Sequence, residues 1–188
     1  HKDQKYEYGL VLSGGGTRGV AHLGVIKALE ESGIKPGIIS GVSAGSIVGA
    51  LYADGNNPEE ILEVFASHKV FSFLEFTIPK IGFIKMTGFE KTLKKLLKAR
   101  NFEDLQIPLK VLTVNMNTGK YTCFDSGPLA VAVKASSSIP IIFPPVEIDG
   151  ELYTDGGLIN NFPLEVLEGK CKRIIGVSVN PLSIKRKL

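Results

Sequence analysis

Histidine is the scarcity that constrains this chain most. There are three, His1, His22 and His68, all early in a sequence of 188 residues. A hydrolase that orders serine, acid and then histidine along its chain needs an imidazole late in the sequence. None is there. Cysteine is rarer still: Cys123 and Cys171 are the only two. They are far apart, fit no metal spacing and make no disulfide framework, which points to a reducing, cytoplasmic setting. No apolar run approaches the roughly 18 residues of a membrane-spanning helix, and no signal peptide is visible. Net charge is only +3, from scattered lysines and a short basic end, "IKRKL". That is too little for a nucleic-acid groove. The lysines suit a solvated face or contact with an anionic membrane surface.

What is present is ordinary globular material, 44% apolar, enough for one domain with its own core over residues 1–188. "YGLVLSGGG" (8–16) reads as a buried strand entering a glycine turn. Val20, Leu23, Ile26 and Leu29 then recur at helical spacing over 17–33, and Gly33 stops the helix. A strand follows at 37–40, and a small-residue, buried helix at 44–54. Pro58 opens a third helix, and 87–99 is an amphipathic fourth. Residues 109–117 and 120–124 are strands joined by a turn at Gly119. Residues 128–138 are helical. "VEIDGELYTDGG" is a hairpin turning at Asp149-Gly150. Residues 173–180 form a last buried strand. This alternation predicts an α/β fold, a three-layer α/β/α sandwich around a mostly parallel sheet. "VFSFLEFTIPKIGFIKM" (70–86) breaks the pattern. It reads either as a core-packed loop or as an apolar lip that brings a lipid-facing site to a membrane.

Two glycine-rich turns carry the chemistry. In "SGGGTRG" (13–19), Gly14, Gly16 and Gly19 match G-x-G-x-x-G. A dinucleotide site would want an acid at the end of the second strand, and that strand ends "IISG". A phosphate loop would want Gly-Lys-Ser/Thr, and Thr17-Arg18 is not that. An oxyanion hole of outward N–H groups and a plain tight turn remain. The second turn, "GVSAG" (41–45), follows a strand and opens a helix, as a nucleophile elbow requires. Gly41 and Gly45 relieve crowding, and Ser43 is lifted clear. Ser46 lies one turn in and faces its helix. A serine needs a base. His22 sits beyond the first loop and reads as a packing or backbone-bonding residue. Among the carboxylates, Asp155 stands out in "YTDGGLINNFP", followed by Gly156 and Gly157. On residue chemistry alone it is either an ordinary Asp-Gly turn or the missing base.

Taken together, these segments resemble the patatin-like phospholipase family, and most closely its bacterial and neuropathy-target-esterase-like branch. "GGGTRG" looks like the family's oxyanion loop, "GVSAG" its elbow, and "DGG" its aspartate element. "AHLGVIKALEESGI" resembles its first helix and "ASSSIPIIFPPV" the block before the aspartate. Ser13 stands where plant patatins carry aspartate. The resemblance implies that Asp155 acts directly on Ser43 as a dyad. It implies an oxyanion hole in Gly14, Gly15 and Gly16, with Arg18 stabilising the loop, and the patatin-like fold. It also implies a lipid acyl-ester substrate and no metal or cofactor. The competing expectations are a non-catalytic lipid- or partner-binding module, a nucleotide binder using the glycine loop, and a soluble small-ester hydrolase or thioesterase.

Overall fold

The computed structural model describes residues 4–67 and 86–181. The apolar segment 70–86, apart from Met86, lies outside them, as do His1, His68 and the basic end. Four strands run parallel in the order β7–β1–β2–β3: β1 is Tyr6–Leu12, β2 Ile38–Val42, β3 Leu109–Asn115 and β7 Cys171–Val177. Beyond β3 the sheet turns antiparallel, through β4 (Lys120–Phe124) and the hairpin β5 (Val146–Ile148) and β6 (Glu151–Asp155). The seven-stranded sheet is therefore mixed, with a parallel centre.

One register detail positions everything that follows. β2 pairs with β3 only up to Val42 opposite Leu112, and β6 pairs with β3 from Thr113 onward. β4 occupies the other edge of β3 from Val111 to Asn115. So β2 and β6 share one edge of β3, end to end. Where β2 leaves the sheet, β6 arrives from the opposite direction.

Five helices are described: α1 (Ala21–Glu31), α2 (Ala44–Ala53), α3 (Pro58–Ala66), α4 (Met86–Leu96) and α5 (Leu129–Ser136). All five contribute to a single core with Leu10, Leu12, Ile39, Leu109 and Val111 from one sheet face. α2 is buried along its whole length, as its small apolar sequence requires. Asn57 and Glu60 cap α3 reciprocally, each side chain accepting the other's backbone N–H at 2.8 Å. On the opposite sheet face Val11 and Ile38 pack against Phe162, Leu164, Val166, Leu167 and Cys171. That covering segment holds only a short 3-10 turn, Glu165–Leu167. Among the described residues the third layer is thus an irregular strap rather than a layer of helices.

Two local expectations shift. The first helix starts at Ala21, because Gly16–Val20 forms a 3-10 turn. β7 is half-exposed rather than buried, being a sheet edge paired on one side with β1. No described helix is long and apolar enough to cross a membrane.

Candidate active site

Ser43 is the single residue between β2 and α2, and its backbone is strained. Its φ of 52° and ψ of −123° lie where side-chain-bearing residues rarely sit. The surroundings hold it there. Its N–H donates to Ser136 Oγ at 2.9 Å, and Ser136 Oγ donates on to Leu112 O at 2.7 Å. Its carbonyl accepts from Ser46 Oγ at 2.7 Å and Ser46 N–H at 2.9 Å. Ser46 therefore turns back onto its own helix.

The flanking glycines are steric necessities. A Cβ on Gly41 would lie 2.5 Å from Gly45 O, and one on Gly45 would lie 2.2 Å from Leu12 O. Both obstacles are backbone atoms, which no rotamer change clears. Gly45→Ala should cost about 3 kcal/mol by overpacking, lowering the melting temperature by roughly 6–12 °C for a domain of this size. Gly24→Ala is the control. A Cβ at Gly24 in α1 meets nothing within 4 Å, so that change should raise the melting temperature slightly.

Asp155 is the last residue of β6 and is buried. The shared edge of β3 brings it beside Ser43, whose hydroxyl favours the charged form of its carboxyl. Gly157 N–H donates to Asp155 Oδ1 at 2.7 Å, and Asp155 N–H donates to Ser138 O at 3.0 Å. Burial pushes the carboxyl up to about 6, against the pull of the Ser43 hydroxyl and the Gly157 bond. Gly156 lets the chain pass over β3: a Cβ there would lie 2.5 Å from Leu112 O.

The first glycine loop lies alongside. A Cβ on Gly14 would stand 3.2 Å from Ser43 Cβ, and Gly19 abuts Ala44. Its carbonyl side is pinned. Gly14 O accepts from Asn180 Nδ2 at 2.8 Å and Ser13 Oγ at 3.0 Å. Gly15 O accepts from Arg18 N–H and Nε, and Arg18 reaches Asn180 Oδ1 at 3.0 Å. Gly14 N–H is committed to Asn161 O at 3.3 Å. Gly15 and Gly16 N–H have no partner among the described residues, which leaves two donors available at the start of the turn.

His22 takes no part in the pair. It is fully buried, and its ring is spent on Ser13 O, 2.8 Å from Nε2. A carbonyl only accepts, so Nε2 carries the proton there. Nδ1 is buried without a partner among the described residues. Burial lowers the His22 pKa, against the pull of the Ser13 bond, and so favours the neutral ring. Its place is under the glycine loop.

Ser136, Ser138, Asn161 and Asn180 hold this arrangement, and none stood out as a site residue in the sequence. The available signal was three consecutive hydroxyls, Ser136–Ser138, at the end of an apolar helix. A cavity of about 690 Å³ opens at the opposite ends of the strands, lined in part by Tyr6, Ile38, Lys110 and Lys170. It includes neither Ser43 nor Asp155, nor any residue of the glycine loop.

Comparison with known proteins gives a family match and several relatives. A family model described as patatin-like phospholipase matches residues 10–168. A patatin-like phospholipase domain-containing protein of Caenorhabditis elegans is 34% identical over 177 residues, 89% of this chain and 13% of the relative. Lysophospholipase nte1 of Aspergillus fumigatus is 34% identical over 170 residues, 86% of this chain and 11% of the relative. An uncharacterised NTE family protein of Mycobacterium bovis is 32% identical over 174 residues, 91% of this chain. This chain spans 48% of that mycobacterial relative and far less of the others. Among solved structures, VipD from Legionella pneumophila superposes with a TM-score of 0.64 at 18% identity, over 92% of this chain and 49% of VipD. At that identity the likeness speaks for the fold alone.

Proposed function

The chain belongs to the patatin-like phospholipase family, and from that premise we propose that it is a serine lipid acyl hydrolase working through Ser43 and Asp155. The observation that carries this reading is the strained Ser43 elbow set beside the buried Asp155 carboxyl, where β2 and β6 share one edge of β3. Asp155 accepts the Ser43 proton as Oγ attacks an ester carbonyl. A carboxyl titrating at about 6 is mostly ionised at pH 7, yet is a stronger base than an ordinary carboxylate. The oxyanion of the tetrahedral intermediate takes hydrogen bonds from Gly15 and Gly16 N–H. The N-terminus of α2 adds a favourable field. Asp155 then returns the proton to the departing alcohol, leaving an acyl-Ser43 ester. Water, deprotonated by the same carboxylate, releases the fatty acid.

Phospholipids and lysophospholipids are the substrate class we assign, in keeping with relatives described as lysophospholipases. A fluorophosphonate probe tests the reading. It should form one covalent adduct, mapped by mass spectrometry to Ser43. Folded protein that takes up no probe would instead be a binding module of the same fold. Acyl-chain profiles on p-nitrophenyl esters and then on mixed phospholipids separate a lipase from a small-ester hydrolase.

A further inference from the structure

We infer that the turn Ile139–Phe143, together with Leu158 and Ile159, forms an uncharged docking rim that seats the site mouth on a phospholipid surface. This rests on the lipid-hydrolase reading above and assigns the surface through which that substrate is met.

Three non-glycine residues among those described have positive φ: Ser43, Asp149 and Ile141. Ser43 sits at the elbow. Asp149 sits at a hairpin tip, where aspartate is tolerated. Ile141, at φ 74°, is a β-branched residue in a conformation that strongly disfavours one. Nothing is gained inside the protein in return, because Ile141 is 104% exposed, as open as an isolated residue.

The fold nevertheless clamps this tip. Phe143 N–H donates back to Ile139 O at 2.9 Å, closing the turn. Phe143 itself is 4% exposed and anchored in the helix-side core. So a fixed turn plants one aromatic inward and presents Ile141 and Ile142 outward. Leu158 and Ile159 are exposed likewise.

Both segments leave from residues that touch the dyad. Ser138, immediately before the turn, accepts the Asp155 N–H at 3.0 Å. Leu158 lies in the 3-10 turn that begins at Gly156. The sequence around both is also devoid of charge. No Asp, Glu, Lys or Arg occurs between Lys134 and Glu147, or between Asp155 and Glu165. A protein partner is ordinarily met by an apolar centre with a polar, charged rim. Exposed aliphatic tips on stretches of sequence without charge, beside a site for acyl esters, match the boundary between headgroups and acyl chains. The occupant is therefore a zwitterionic phospholipid surface.

The test uses the full chain carrying Ser43→Ala, so that vesicles stay intact, in co-sedimentation with phosphatidylcholine vesicles. Binding should persist at about 1 M salt, where charge attraction is screened beyond roughly 3 Å. Adding Ile141→Asp and Ile142→Asp should lower the partition coefficient by about tenfold or more. Ile141→Gly guards against misfolding: it removes the strained conformation, so its melting temperature should hold or rise while binding still weakens.

Equal sedimentation of the double variant and its parent would overturn the rim. So would binding abolished by salt, or full binding by folded Ile141→Gly protein. On the otherwise wild-type background, the double variant should lose about tenfold more rate on vesicles than on a soluble p-nitrophenyl ester. Parallel losses on both would also defeat the rim. If the wild-type chain hydrolyses neither ester nor vesicle while the variants still lose binding, the hydrolase reading falls and the rim stands.

Discussion

Ser43→Ala is expected to lower the rate of ester hydrolysis by about 10⁶-fold, the scale seen when a serine hydrolase loses its nucleophile. The measurement is fatty-acid release from mixed phospholipids, with the wild type run in parallel. A folded variant is part of the expectation. Alanine removes only the hydroxyl, and the backbone bonds at this position run through N–H and C=O, to Ser136 and from Ser46. The φ of 52° remains, so the variant keeps the strain. Ser43→Gly removes the strain as well as the nucleophile. It should melt higher than Ser43→Ala by an amount on the order of 1 kcal/mol. A variant that retained substantial turnover while folded would dismiss Ser43 as the nucleophile.

Asp155→Asn is the second large effect. The amide cannot take a proton from Ser43, and among the described residues no imidazole stands ready to replace it, since His22 is committed to Ser13 O. The rate should fall by about 10³–10⁴-fold. In the wild type, activity should decline as pH drops through about 6, where the carboxyl takes up its proton. Stability should move the other way. The carboxyl's ordinary value is 3.8 and its folded value about 6. Between these the folded chain holds a proton that the unfolded chain has released. Stability therefore falls as pH rises through that window, by about 3 kcal/mol in all. The asparagine variant lacks this cost. It should melt higher than wild type at pH 8, and the gap should narrow toward pH 4. Loss of activity together with a higher melting temperature would separate a chemical role from a structural one. An asparagine variant as active as wild type would remove Asp155 from the mechanism.

The residues of this site were legible as motifs well before their meeting was. "GVSAG" after a strand marked Ser43, and the glycine loop was narrowed by what it lacked. Residue chemistry left Asp155 open between a turn and a base. What joins it to Ser43 is β2 ending at Val42 while β3 continues, so that β6 takes up the vacated edge. Strand length against a neighbour is a tertiary quantity, and hydropathy does not encode it. Ser136 was illegible for a related reason. A hydroxyl at the tail of an apolar helix reads as a local cap, whereas here it bridges Ser43 to Leu112. "IPIIFPP" has the composition of core, and only Phe143 is fully buried, with Ile139 packed partly against the core. The strap over the second sheet face has no period to read, because its one regular piece is a single 3-10 turn.

The glycine loop is braced by residues encoded far downstream of it. Val179 N–H donates to Ser13 Oγ at 3.0 Å, and Asn180 holds both Gly14 O and Arg18. β7, which carries these residues into place, pairs with β1 across almost the full sequence. During translation, Ser43 and Asp155 leave the ribosome before this clamp exists. A chain at that stage carries Ser43 and Asp155 without the clasp that braces the glycine loop. The bracing of that loop is thereby tied to the closing of the sheet, the slowest kind of contact for a chain to find.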